Sequence, residues 1–186
     1  MLRITPVEKW SSICCVLPHL FIGDRWASQN REGLLKCGVT HVINMAGKTC
    51  PSSYSDDFVY LTVNVDDVGE EDIAAHFDST RQFIESAVAS GGKVFVHCEA
   101  GRSRSATICL CYLMCSQQWC LKKAYKQLKK QRPVIMPNYC FYLALCQLDE
   151  EMFNARSMNL TFEQYRVYNI TLEARANGFV TRCNIL

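Results

Sequence analysis

The chain has 186 residues, 49% of them apolar, which is enough for one domain with its own core and excludes a disordered or collagen-like polymer. Its formal net charge is +2, so no global field marks a nucleic-acid binder and no nucleic-acid partner is expected. Twelve cysteines form no Cys-x-x-Cys pair and no Cys/His cluster at zinc spacing, so no metal or other cofactor is expected.

Residues 1–9 form a lead-in without the apolar core of a signal peptide. Residues 13–16 and 20–22 predict two short strands around Pro18, in a stretch too short to span a bilayer, so no transmembrane segment is expected. Residues 31–36 predict a short helix closed by Gly38, and residues 40–45 a strand centred on Val42 and Ile43. A polar loop follows over 47–57. Residues 58–65 then alternate, with Val59, Leu61, Val63 and Val65 on one face of a strand. The acidic loop 66–72 pivots on Gly69. Ile73, Phe77, Ile84 and Val88 recur at helical spacing, which predicts a helix over 73–89 with Asp72 as its N-cap.

The stretch 93–115 carries the chemistry. Val94 to Val96 predict a buried strand, and Ser105 to Cys115 a helix hidden from water, with Ser105 able to cap it. Cys98 to Arg104 lie between them as a tight loop. Backbone N–H groups at a helix start have no intrahelical partner, and the helix dipole is positive there. A glycine-containing loop wrapped over that end makes an anion nest, for which Gly101 supplies the backbone freedom. Arg104 brings a planar fork that can hold two oxygens of a phosphoryl group. Cys98 ends the strand at the same point. A helix N-terminus and nearby positive charge lower a thiol from about 8.5 to roughly 3.5–7.5. One field would therefore hold a phosphate and prepare its nucleophile.

Further on, Leu121, Ala124, Tyr125 and Leu128 mark an amphipathic helix whose five lysines are expected to form a solvated face. Asn138 can cap a last long helix with Phe141, Leu145, Leu148 and Met152 on its buried stripe. Strands alternating with helices predict an α/β fold, a mainly parallel sheet flanked by helices. Beyond Ala155, Phe162, Tyr165 and Leu172 could line a further helix, or the segment could be loosely ordered. Cysteines within apolar helix patterns, such as Cys109, Cys111, Cys115 and Cys146, point to a reduced cytoplasmic or nuclear protein.

The run His97-Cys98-Glu99-Ala100-Gly101-Arg102-Ser103-Arg104-Ser105 matches the His-Cys-x-x-Gly-x-x-Arg-Ser/Thr signature of cysteine-dependent protein phosphatases. The continuation through Ala106-Thr107 and Tyr112-Leu113-Met114, and the run from Arg132 to Asn138 with Phe141, resemble the small, atypical dual-specificity branch. The resemblance covers about residues 10–155, the expected catalytic domain, and leaves 156–186 as a tail. It implies a metal-independent hydrolase acting on phosphotyrosine and phosphoserine or phosphothreonine, with phosphoproteins as partners. Cys98 would be the nucleophile and would carry a phosphocysteine. Arg104 and the amides of Glu99, Ala100, Gly101, Arg102 and Ser103 would clamp the phosphoryl oxygens.

The general acid has two candidates, Asp66 and Asp67. Family spacing counted back from Ile73, and the parity of Val63 and Val65, both favour Asp67. Ser105 would help the thiolate leave, while His97 and Asn138 would support the loop. Glu99 is expected to point outward; with Arg102 it could tune selection toward substrates with acidic neighbours. The same mechanism on an RNA 5′ end, a lipid or a glycan is an alternative, as is a phosphoprotein-binding module with little activity.

The last four residues, beginning at Cys183, have the form of a prenylation box, which would bring a lipid anchor. Asn159 and Asn169 head glycosylation sequons that a chain without a secretion signal should not use.

Overall fold

The computed structural model describes residues 13–176. Five strands form one sheet among them: β1 (Cys14–Leu17), β2 (Leu20–Gly23), β3 (His41–Asn44), β4 (Val59–Thr62) and β5 (Val94–His97). Their order across the sheet is β1-β2-β5-β3-β4; β1 runs antiparallel to β2 and every other pairing is parallel. The central strand β5 is buried at all four positions, which is why Val-Phe-Val precedes the histidine without alternation.

Helices cover the sheet on both sides. Helices α1 (Arg25–Ser28) and α2 (Arg31–Lys36) close one face, where Ala27 and Leu34 pack with Phe21, Val42, Phe58 and Phe95. The larger core lies on the other face, among α3 (Phe77–Ala89), α4 (Arg104–Gln117), α5 (Leu121–Gln131) and α6 (Tyr139–Phe153). Helix α4 is buried from Arg104 to Met114, so it is the hub against which its neighbours pack. Helix α7 (Phe162–Ala176) follows, with Tyr165 and Asn169 each 1% exposed. Among the described residues no helix is long and apolar enough to cross a membrane.

The expected α/β architecture is present, and several local expectations are corrected. The strand predicted over 58–65 is regular only from Val59 to Thr62 and forms a sheet edge, where Val59 is exposed while Val63 and Val65 beyond it are buried. Asp24, just past β2, accepts the Ala27 N–H and caps α1, a short helix the sequence reading did not predict. Asp72 accepts from the Ala75 N–H of a 3-10 turn (Ala74–His76), and the α-helix proper starts at Phe77. The lysines of α5 are not all solvated: Lys129 is 4% exposed. The segment after Ala155 includes a helix, on which Tyr165 is buried but Phe162 is exposed.

Candidate active site

Three parallel strands end at one edge of the sheet, at Gly23, Asn44 and His97. In parallel α/β sheets this carboxyl edge is where ligands bind. Cys98 directly follows β5 and is 1% exposed. The loop from Glu99 to Ser103 carries the chain over the start of α4.

The carbonyls of Glu99 to Arg102 are all occupied from outside. Arg25 N–H donates to Glu99 O at 3.1 Å, and Met136 N–H to Arg102 O at 2.8 Å. Arg132 donates from Nε to Gly101 O at 2.8 Å and from Nη2 to Ala100 O at 3.4 Å. In a trans peptide each carbonyl points opposite to the next N–H. Four outward carbonyls therefore turn the amides of Ala100, Gly101, Arg102 and Ser103 inward, toward the mouth of α4. Gly101 has φ +64°, and a Cβ there would lie 2.5 Å from both Arg132 Nη2 and Gly23 O. Only glycine fits on both counts. Arg132 is itself 1% exposed and its side chain is ion-paired with Asp24 at 3.4 Å.

Around the thiol, Ser105 Oγ lies 3.2 Å from Cys98 Sγ. Ser105 is thus in the first turn of α4, not at its cap. Ser103 holds the N-cap position, but its hydroxyl makes no capping bond. Instead Ser103 Oγ donates to Asp67 Oδ1 at 2.6 Å and accepts from the Asn138 N–H at 2.9 Å. Asn138 serves two ends: Oδ1 caps α6 at Phe141 N–H, and Nδ2 donates to Asp67 Oδ1 at 2.9 Å. Asp66 points elsewhere, to Lys48 at 2.7 Å. The structure therefore brings Asp67, and not Asp66, to the loop.

Arg104 is 8% exposed; its Nη1 donates to Val65 O at 3.0 Å and Met45 O at 3.2 Å. These carbonyls lie just past β3 and β4 and aim the guanidinium. Its Nε is buried with no hydrogen-bond acceptor among the described residues, and Asp67 Oδ2 stands 4.0 Å away.

His97 stacks on Phe95 with centroids 5.7 Å apart and is 1% exposed. Burial lowers it to about 4, against an interaction with the Cys98 backbone that favours the cation, so the ring is neutral at pH 7. Glu99 turns away from the loop centre to Arg25 and to Thr49 Oγ1 at 3.1 Å. Burial works against its charge, but these contacts outweigh burial and hold its carboxyl below the usual range. Arg102 donates from Nε to Val134 O at 3.1 Å. An open cleft of ≈ 430 Å³ adjoins the loop, between Arg102 and Asn138 on one side and Phe162 and Arg166 of α7 on the other.

Sequence reasoning missed Arg132, Asp24 and Arg25 as parts of this site, and gave Ser103 a backbone role without its side-chain bond to Asp67. The signal for Arg132 was its place at the head of the family-like run from Arg132 to Asn138. Cys183 lies outside the described residues.

A family model described as "Dual specificity phosphatase, catalytic domain" matches residues 20–151. The chain belongs to this family. It is 38% identical over 148 residues to Dual specificity protein phosphatase 1-A of Xenopus laevis, covering 80% of this chain and 40% of that relative. It thus spans well under half of the curated relative's length. Among solved structures it is similar to human DUSP28, with 37% identity, a TM-score of 0.71, and coverage of 77% of this chain and 95% of that one. It is also similar to a human tyrosine phosphatase-like serine/threonine/tyrosine-interacting protein, with 30% identity, a TM-score of 0.72, and coverage of 78% and 99%.

Proposed function

We propose that the chain is a protein phosphatase that hydrolyses phosphotyrosine and phosphoserine or phosphothreonine through a phosphocysteine. One observation carries this reading: four loop amides are turned toward the start of α4, where Ser105 Oγ meets the Cys98 sulfur and the buried Nε of Arg104 has no hydrogen-bond acceptor among the described residues. A buried donor without an acceptor is costly, and a phosphoryl oxygen would satisfy it.

In the first step the Cys98 thiolate attacks phosphorus, the P–O ester bond breaks, and Asp67 gives its proton to the leaving oxygen. In the second, the Asp67 carboxylate takes a proton from water, the water oxygen attacks phosphorus, and the S–P bond breaks. The hydroxyl of Ser105 donates to the departing thiolate. The amide cup and Arg104 hold the equatorial oxygens through both steps, and such positioning is most of what phosphoryl transfer requires of a protein. The neutral His97 serves as packing against Phe95 and as a support for the Cys98 backbone. Phosphoproteins are the proposed substrates, and free core thiols such as Cys50, Cys109 and Cys146 support a reducing compartment, cytoplasm or nucleus. Prenylation of Cys183 is part of the same proposal and is read by intact mass of the native protein.

The test is hydrolysis of an aryl phosphate by the full chain in the presence of a chelator. Turnover that vanadate blocks and Cys98→Ser abolishes is the expected result. Absence of turnover together with absence of vanadate binding overturns the assignment.

A further inference from the structure

Helix α7 lies beyond the family match at 20–151, yet it reaches the segment that flanks the phosphate loop. Segment 134–138 runs without regular structure between α5 and α6, and its groups alternate in direction. Toward the loop it offers Val134 O to Arg102, Met136 N–H to Arg102 O, and Asn138 N–H to Ser103. The intervening carbonyls face the other way. Ile135 O accepts from Lys129 Nζ at 2.6 Å, and Pro137 O from Tyr165 OH at 2.9 Å.

Those two donors belong to one buried network. Asn169 Oδ1 accepts from Tyr125 OH at 2.6 Å and from Lys129 Nζ at 3.3 Å, while its Nδ2 donates to Tyr165 O at 2.9 Å. Tyr165 stacks on Tyr142 of α6 with centroids 4.3 Å apart. Helix α7 thus satisfies the Pro137 carbonyl directly with a hydroxyl, and its Asn169 amide oxygen accepts from the Lys129 ammonium that satisfies Ile135 O. The same burial makes the Asn169 sequon unusable in the folded chain.

We propose that α7 is a positioning element of the active site: through Tyr165, Asn169 and the Lys129 they hold, it fixes segment 134–138 so that Asn138 and Ser103 orient Asp67. None of these three residues touches the reacting atoms. Their effect passes through Asn138, whose Nδ2 and N–H meet Asp67 Oδ1 and Ser103 Oγ. The consequence is selective. Loosening the segment frees the proton donor and relaxes the Arg102 carbonyl that Met136 holds, while Cys98, Arg104 and the Ala100 and Gly101 carbonyls held by Arg132 keep their own contacts.

The proposal rests on the phosphatase reading, and its test separates the two. Full-length Tyr165→Phe keeps the ring stack and removes one hydroxyl; Asn169→Leu keeps the volume and removes the acceptor. Each is compared with the parent on nitrophenyl phosphate, whose leaving anion needs little protonation, and on phenyl phosphate, whose leaving group needs a proton. A general acid contributes about 10²–10⁴ in rate, so partial misplacement is expected to lower kcat on phenyl phosphate about tenfold more than on nitrophenyl phosphate. Val167→Ala, on the exposed face of α7, should leave both rates unchanged.

Amide hydrogen exchange gives an independent readout. Met136 and Asn138 should exchange faster in both variants while β5 does not change. Equal losses on both esters, or unchanged rates with unchanged exchange, overturn the proposal. If the parent hydrolyses neither ester, the phosphatase reading falls. Exchange at Met136 and Asn138 then decides alone, faster exchange upholding the coupling and unaltered exchange refuting it. Should Asn169→Leu fail to fold, the rates and exchange of Tyr165→Phe decide by the same criteria.

Discussion

Asp66 and Asp67 are neighbours in sequence with opposite surroundings, and the difference can be measured. Asp66 pairs with Lys48, and both side chains are about half exposed, 47% and 51%. A solvent-screened surface pair of that kind contributes little and has no path to the loop. Asp67 is bound by Ser103 and Asn138 and stands 4.0 Å from Arg104 Nε. Asp67→Asn is expected to lower kcat about 10²–10⁴-fold on phenyl phosphate, and Asp66→Asn less than about twofold. Steady-state kinetics of the two variants, side by side, check the assignment; equal and small losses would reject it. The parity of Val63 and Val65 pointed to Asp67, and both valines are buried. The partners of Asp67 were not legible, since Ser103 and Asn138 are 36 and 71 positions away in sequence.

At the scale of elements, apolar patterning located the central strands and the helices α3 to α6, because each buries apolar side chains in the same core. It failed where a rule needed knowledge of a neighbour. The helix-start rule chose Ser105, but the hydroxyl of Ser105 goes to Cys98, and Ser103 at the cap position is drawn to Asp67. The amphipathic rule put every lysine of α5 in solvent, but Lys129 sits where α7 and segment 134–138 close over it. Burial lowers its pKa to about 8, with Glu173 opposing that shift and Arg102 adding to it; Tyr125 and Tyr165 are the other titratable groups in the same network. The folded value lies below the value of 10.5 for a free lysine. Between those two values the unfolded chain holds the proton that the folded chain releases, so stability rises with pH across that window. As pH falls through about 8 that contribution is lost. Lys129→Met lacks this titration. Thermal unfolding of both proteins, measured from pH 7 to pH 10, should show the parent gaining stability relative to Lys129→Met as pH rises. A constant difference would mean that Lys129 is not desolvated.

Across the whole molecule, the family resemblance drew the catalytic domain as residues 10–155, whereas the packing argues for a unit that includes α7. Tyr165 is 1% exposed, lies against Tyr142, and shares hydroxyl contacts with Tyr125, so it belongs to the same core as α5 and α6. Asp149 makes the connection tighter: one carboxylate oxygen receives the Leu121 N–H at the start of α5, and the other receives Ser157 beyond α6. A chain stopped at Ala155 would lose the second of these, expose Tyr125 and Tyr142, and leave Lys129 and the Pro137 carbonyl without α7. Removing one large buried aromatic side chain costs about 3–5 kcal/mol, against a total stability of roughly 5–15 kcal/mol for a domain. Tyr165→Ala in the full chain is therefore expected to lower the denaturant midpoint strongly. The 1–155 chain is expected to unfold at lower denaturant still, because it loses Met158 and Asn169 as well. Coincident unfolding curves for the full and shortened chains would return the boundary to Ala155. Sequence patterning could not place it, because the buried side of α7 is made of Tyr165 and Asn169, tyrosine and asparagine used as hydrogen-bonding groups rather than an aliphatic stripe.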